Sequence, residues 1–364
     1  MRPMNAPKAK KKLSLKKRVV FSVVLLGVLF GVPEGFFRIR RIVRDNRKPR
    51  LPMEFDGYRG VILTAGAHYE RKDQNRRIDI NSQGFRGPEI GPKRDDLPRL
   101  LTVGGSTTFG LYTSCNENTW PLRLQALLTE SGRPCEVINA GTPGWTLRSS
   151  LTNLELRGWA LKPDVVVVYH NYNDLMSNGE EQYYRDAEVD DVEELYRPPP
   201  GGILEYSEMF SFIRSRLRDP YDKLKEKQPE LKPEGVAAFE TNLRRLARRA
   251  KEQGIQLALC TFPHAFRSTY EESLEDGVPE VEEWYLEMGP LEYPALLEGL
   301  KRHDEVIREV AEEEGALLID LSPDFPKDVD HYMSPIHHSD TGEELVATRV
   351  RDALIAADWI PERE

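Results

Sequence analysis

The sequence predicts a three-layer α/β/α domain built on a five-stranded parallel sheet, preceded by one transmembrane helix. Two observations carry this. From Arg99 onward, short β-branched runs alternate with helical patterns, which is the rhythm of parallel strands covered by helices. Near the N-terminus, residues 19–32 form an uninterrupted apolar run behind a basic tail. Overall, 39% hydrophobic and 30% charged residues suit a globular core with a solvated surface.

Residues 1–18 carry eight Lys or Arg and no acid, a basic tail placed on the cytoplasmic side. The apolar run continues through PEGFFRI apart from Glu34, so residues 19–39 are long enough to cross a bilayer. A cleaved signal peptide and a buried helix compete with this reading. No small-x-small cleavage site follows the run, which favours a retained signal-anchor. Orientation is less marked, because Arg38, Arg40, Arg41, Arg44, Arg47, Lys48 and Arg50 follow the span. The unbroken Lys cluster favours a cytoplasmic N-terminus, with the rest of the chain outside. Residues 40–98 read as a juxtamembrane and lead-in segment, irregular with short strands from residue 51.

The main domain is expected over residues 99–364. Its strands are LLTV near 101, EVINA near 138, DVVVVYH near 167, IQLALCTF near 258 and ALLID near 318. Helices fall between them at residues 120–130, 147–161, 235–253 and 303–314, with a last one at 341–357. Two stretches break the rhythm, residues 176–234 and 264–299. Both follow strands and so project over the strand ends, as a lid, a substrate wall or plain surface embellishment.

The net charge of −9 hides an asymmetry, since the chain beyond the basic tail sums to −17. An acidic globular part repels phosphate backbones, so nucleic acid is not an expected partner. Cys115, Cys135 and Cys260 lack zinc-site spacing. A Cys115–Cys135 disulfide is open to them outside the cytosol, and three buried or incidental thiols are the alternative. With no Asp/Glu/His cluster of metal spacing, neither metal nor cofactor is expected.

The strand LLTV runs into GGSTTFG, which sets Ser106 on a glycine-flanked turn ahead of a helix. That is a position for a nucleophile: glycines admit close backbone approach, and a helix N-terminus offers unpaired amides to a developing oxyanion. After the second strand, NAGTPGWT places Gly141 at the same end of the sheet, and after the third, HNYNDL places Asn173 there. The amides of Ser106 and Gly141 and the side chain of Asn173 make a candidate three-donor oxyanion hole. In IHHSDTGEELVA, His337 lies just before the final helix and is the candidate general base. His170 reads as a packed or lining residue.

GGSTTFG, NAGTPGW, NYND and HHSDTG resemble the four blocks of the SGNH hydrolase, or GDSL-like esterase, family, over roughly residues 99–357. NSQGFRGPE, residues 81–89, resembles the segment before the first block in membrane-anchored bacterial members. The resemblance implies the flavodoxin-like SGNH fold, Ser106 as nucleophile, Gly141 and Asn173 as oxyanion donors, His337 as base, and a catalytic domain outside the cytoplasm. The family spacing H-x-S-x-x-G selects His337 over His338.

Two positions depart from the family pattern. Asn171 stands where a glycine is usual, and Ser334 stands where the triad acid is usual, three residues before His337. Asp328 or Asp330 could substitute, or a Ser-His dyad could operate with the imidazole held by a backbone carbonyl or by Ser334. The implied activity is a serine esterase acting on acyl esters, acetyl or short-chain, of small molecules, cell-envelope glycans or lipids. An O-acyltransferase would use the same residues, and a non-catalytic binding protein on a degenerate fold is the reading from another class.

Overall fold

The computed structural model describes residues 14–47, 51–72, 75–197, 207, 209–210, 213, 227–286 and 289–363. Most of the basic tail, and much of the first inserted stretch, lie outside the described residues. The chain forms two compact units: residues 1–49 with 200–219, and residues 50–199 with 220–364.

In the first unit, Leu15–Leu26 and Val32–Arg47 are α-helical and are joined by a π-helical turn, Gly27–Gly31. Residues Leu15–Arg40 make a helix long and apolar enough to cross a membrane. Glu34, the one acid in that stretch, accepts hydrogen bonds from Ser207 Oγ (2.8 Å) and the Met209 amide (3.1 Å).

The second unit opens with two antiparallel hairpins, β1 (Met53–Asp56) with β2 (Gly60–Leu63) and β3 (His68–Arg71) with β4 (Arg76–Asp79). The main sheet follows: β5 (Arg99–Gly104), β6 (Glu136–Asn139), β7 (Val165–Tyr169), β8 (Gln256–Cys260) and β9 (Leu317–Ile319). All neighbours are parallel, in the order β6-β5-β7-β8-β9. Every residue of β5 and β7 is buried, as expected of strands covered on both faces.

Side-chain alternation divides the core in two. Leu100, Val165 and Val167 face the helices Trp120–Glu130 and Asp340–Ala356 through Trp120, Leu124, Val346 and Val350. Leu101, Val166 and Val168 face Leu147–Asn153 and Pro233–Glu252 through Leu151, Phe239, Leu243 and Leu246.

The five expected strands and the helix over 120–130 stand where the sequence places them. Two helices differ. The one expected at 303–314 runs from Tyr293 to Glu314, because Leu296 and Leu300 extend the buried stripe of His303, Ile307 and Val310 one helical step at a time. The second inserted stretch is shorter by that much. The one expected at 147–161 is α-helical only to Asn153, then π-helical over Leu154–Gly158 and 3-10 over Trp159–Leu161. Cys115, Cys135 and Cys260 are all free thiols.

Candidate active site

The order of the sheet places β5 beside β7 at its centre, with the chain leaving β5 toward one edge strand and β7 toward the other. The crevice beyond the carboxyl ends of two such strands is where open α/β sheets bind ligands. Ser106 follows β5 there and Asn173 follows β7.

Ser106 is the first residue of a single helical turn, Ser106–Phe109, so its amide has no acceptor within the helix. Its Oγ lies 2.7 Å from Nε2 of His337. With Nε2 accepting from the serine, the ring proton sits on Nδ1 and donates to Ser334 Oγ at 2.7 Å. The amide of His337 also donates to that oxygen (3.2 Å), and its carbonyl accepts from the Met333 amide (2.9 Å). Both catalytic candidates are buried, Ser106 at 7% exposure and His337 at 1%.

Two carboxylates fix this pairing across the chain. Asp340, just after the histidine loop, accepts from Ser114 (N, 3.0 Å; Oγ, 2.6 Å) and from Asn118 Nδ2 (2.8 Å). Buried Glu343 accepts from the Trp120 amide at 2.6 Å. The helix that follows His337 is thereby tied to the segment that follows Ser106.

Asn173 Nδ2 donates to the Trp145 carbonyl at 2.8 Å. Trp145 takes one of its two amide hydrogens. The group lies close against the serine turn, since a Cβ on Gly105 would stand 2.5 Å from Nδ2. Asp174 locks this block to the preceding one by accepting from the Leu147 amide (2.9 and 3.1 Å) and from Tyr183 OH (2.8 Å). Asn171 bonds the Leu300 carbonyl (3.1 Å) and Asp304 (3.0 Å), so the departure from glycine serves to anchor the helix Tyr293–Glu314.

Gly141 packs directly on the serine helix: a Cβ there would meet the Phe109 nitrogen at 2.3 Å. Its own amide donates to Asn139 Oδ1 at 3.0 Å, so it would reach an oxyanion only by sharing that hydrogen. His338 turns away from Ser106, its Nε2 3.0 Å from Tyr169 OH. His170 bonds Ser150 Oγ at 2.8 Å and is buried. Asp328 is engaged by His331 at 2.7 Å, and the Asp330 carbonyl accepts from Ser339 Oγ; neither carboxylate bonds His337.

Burial, together with nearby His338 and Arg76, pushes the His337 pKa down from its ordinary value to about 3. The imidazole is therefore neutral, the form a general base requires, across the whole neutral and mildly acidic range.

Several residues at the site escaped the sequence reading. Arg86, in NSQGFRGPE, is buried and donates to the carbonyls of Phe109 (2.9 Å), Gly110 (2.6 Å) and Cys115 (3.0 Å), which clamps the end of the serine helix. Tyr112 and Trp284 place their rings 5.0 and 4.9 Å from that of His337. Arg86 was within reach of sequence reasoning as the one cation inside that lead-in motif. Nothing local marks Trp284, which arrives from the second inserted stretch.

The pattern of the GDSL-like Lipase/Acylhydrolase family matches residues 102–345. Among solved structures, the chain is similar to the acetyl xylan esterase AlAXEase (18% identity, TM-score 0.42, 70% of this chain and 99% of that one). It is also similar to a lipase/acylhydrolase from Enterococcus faecalis (17%, TM-score 0.46, 74% and 100%). A third similarity is to an acetyl-xylooligosaccharide esterase mutant from Geobacillus Stearmophilus (15%, TM-score 0.43, 73% and 97%). No curated protein sequence matches the chain. The family match spans more than half of the chain, which belongs to the GDSL-like lipase/acylhydrolase (SGNH) family and is a hydrolase acting on ester bonds.

Proposed function

We propose that the protein is a membrane-anchored serine esterase that removes acetyl or other short acyl groups through a Ser106–His337 dyad. The 2.7 Å contact between Ser106 Oγ and His337 Nε2 carries this reading. As the serine oxygen bonds to the acyl carbon, His337 takes its proton and then returns it to the leaving alcohol oxygen. Water, deprotonated by the same imidazole, releases the acid. The Ser106 amide and Asn173 side chain receive the oxyanion, with Gly141 as a third, shared donor. Tyr169, Tyr172, Asn173, Phe262 and Ile336 line a small space beside Ser106, which supports a small acyl portion. Esters on cell-envelope glycans suit an enzyme held at a membrane with its catalytic unit outside.

The purified full-length protein is expected to hydrolyse p-nitrophenyl acetate and to be labelled on Ser106 by a fluorophosphonate. Asn173→Ala should cost about a hundredfold or more in turnover without loss of fold; unchanged turnover would remove Asn173 from the oxyanion hole. An unlabelled Ser106 would leave only a non-catalytic role for the site.

The helix Leu15–Arg40, long and apolar enough to cross a membrane, supports the anchor, since so large an apolar surface is costly in water. Full-length protein should stay with membranes through carbonate extraction, and protease added to intact spheroplasts should digest the catalytic unit. Digestion only after lysis would reverse the orientation.

A further inference from the structure

We infer that Tyr112 and Trp284, tethered together by Glu280, hold and stabilise the His337 ring in place of the absent triad acid. This rests on the esterase reading. A triad acid does two things: it fixes the orientation of the imidazole, and it stabilises the imidazolium that forms when the serine proton is taken. Here Nδ1 meets only the Ser334 hydroxyl, which carries no charge. The ring itself packs against two aromatic side chains. Tyr112 lies at 39° to it with centroids 5.0 Å apart, and Trp284 meets it at 62° and 4.9 Å.

Both rings end on the same carboxylate. Tyr112 OH donates to Glu280 Oε2, and Trp284 Nε1 donates to the same oxygen at 3.1 Å. The arrangement is anchored from behind. Tyr172 packs edge-on against Trp284 (5.7 Å), while Tyr285 of the same helix, Val281–Leu286, packs on Tyr270 (4.7 Å) and Tyr293 (5.3 Å). Lys227 Nζ donates to the carbonyls of Tyr285 and Gly289.

An imidazolium gains electrostatic attraction from aromatic π systems, and more where water is excluded. The charged and titratable groups acting on His337 are Arg76 behind Tyr112 (5.3 Å to its ring) and His338 on its own loop, while the exposed Glu280 reaches it only through the two rings. Arg76 opposes the imidazolium, so two aromatic rings and the carboxylate that tethers them offset a cation that no acid bonds among the described residues. Tyr112, Trp284 and Glu280 are thus positioning residues.

The test uses the full-length protein, p-nitrophenyl acetate and a fluorophosphonate probe. Trp284→Leu keeps an apolar group of substantial size but loses the π system, and should lower kcat and the rate of Ser106 labelling about tenfold with KM little changed. Trp284→Phe should recover most of that loss. Glu280→Gln, which keeps an acceptor but removes the charge, should lower kcat in the same direction by less. In a Ser334→Asp background the Trp284→Leu effect should shrink, since a carboxylate on Nδ1 then does the same work. If Trp284→Leu and Glu280→Gln raise KM alone, or if Ser334→Asp leaves the Trp284→Leu effect undiminished, the clamp is wrong while the dyad stands. If the wild-type protein is not labelled on Ser106, the dyad and the clamp fall together.

Discussion

Ser106→Ala is expected to remove aryl-ester hydrolysis, a loss of about six orders of magnitude if serine and histidine act as a unit. The reason is the 2.7 Å contact between Ser106 Oγ and His337 Nε2 in a buried setting. Alanine leaves no atom to bond the acyl carbon, and only the amide donors around the turn can still favour an oxyanion. His337→Ala should cost about as much, and the double variant scarcely more, because each residue is useless without the other. His338→Ala should not silence the enzyme: its ring bonds Tyr169 and packs against Tyr332 at 4.9 Å, so the change acts on packing. Steady-state hydrolysis of p-nitrophenyl acetate and probe labelling measure these effects. Activity retained in Ser106→Ala would end the assignment of the nucleophile.

The second large effect is a gain. Ser334 Oγ occupies the place beside His337 Nδ1 where an acid is usual, and loss of such an acid can cost about four orders of magnitude in turnover. Ser334→Asp should therefore accelerate the enzyme, by an amount reduced to the extent that Tyr112 and Trp284 already do the work. It should also move the pH dependence. In the natural protein the His337 pKa is pushed down to about 3, first by burial. In the proposed dyad the neutral imidazole is the active base, so kcat/KM should hold as pH falls through 6.5 and decline only well below it. A carboxylate on Nδ1 favours the imidazolium and raises that pKa, so the acid limb of Ser334→Asp should lie at higher pH. The alternative donor of charge, Asp330, should be silent: Asp330→Asn leaves turnover unchanged, because neither it nor Asp328 bonds His337. Turnover that is indifferent to Ser334→Asp, or crippled by Asp330→Asn, would refute the dyad.

How far the sequence reaches depends on the range of the forces involved. The five strands, the helix over 120–130, the apolar N-terminal span and the family blocks are legible because alternation, helical periodicity and glycine-flanked turns are local properties. The early start of the helix at Tyr293 was legible in the same sense, in the spacing of Leu296, Leu300 and His303, but the preceding aromatic and acidic run disguised it. Within the site, the block order and the spacing H-x-S-x-x-G of the resemblance pointed to Ser106, Gly141, Asn173 and His337. In the structure His337 meets the serine, and the geometry adds that the Gly141 amide is already engaged by Asn139.

What the tertiary structure alone decided is how the histidine is held. Ser334 was visible as a missing charge, but nothing near it in the sequence says which side chains surround the imidazole. Trp284 and Glu280 come from the stretch after β8, Tyr112 from the loop after the serine helix, and Asp340 and Glu343 reach back to Ser114 and Trp120. Side chains that meet across such separations are matched by packing and by the need to satisfy buried polar groups. A sequence carries periodicity and turn chemistry along the chain, whereas these partners share only a place at the ends of the strands.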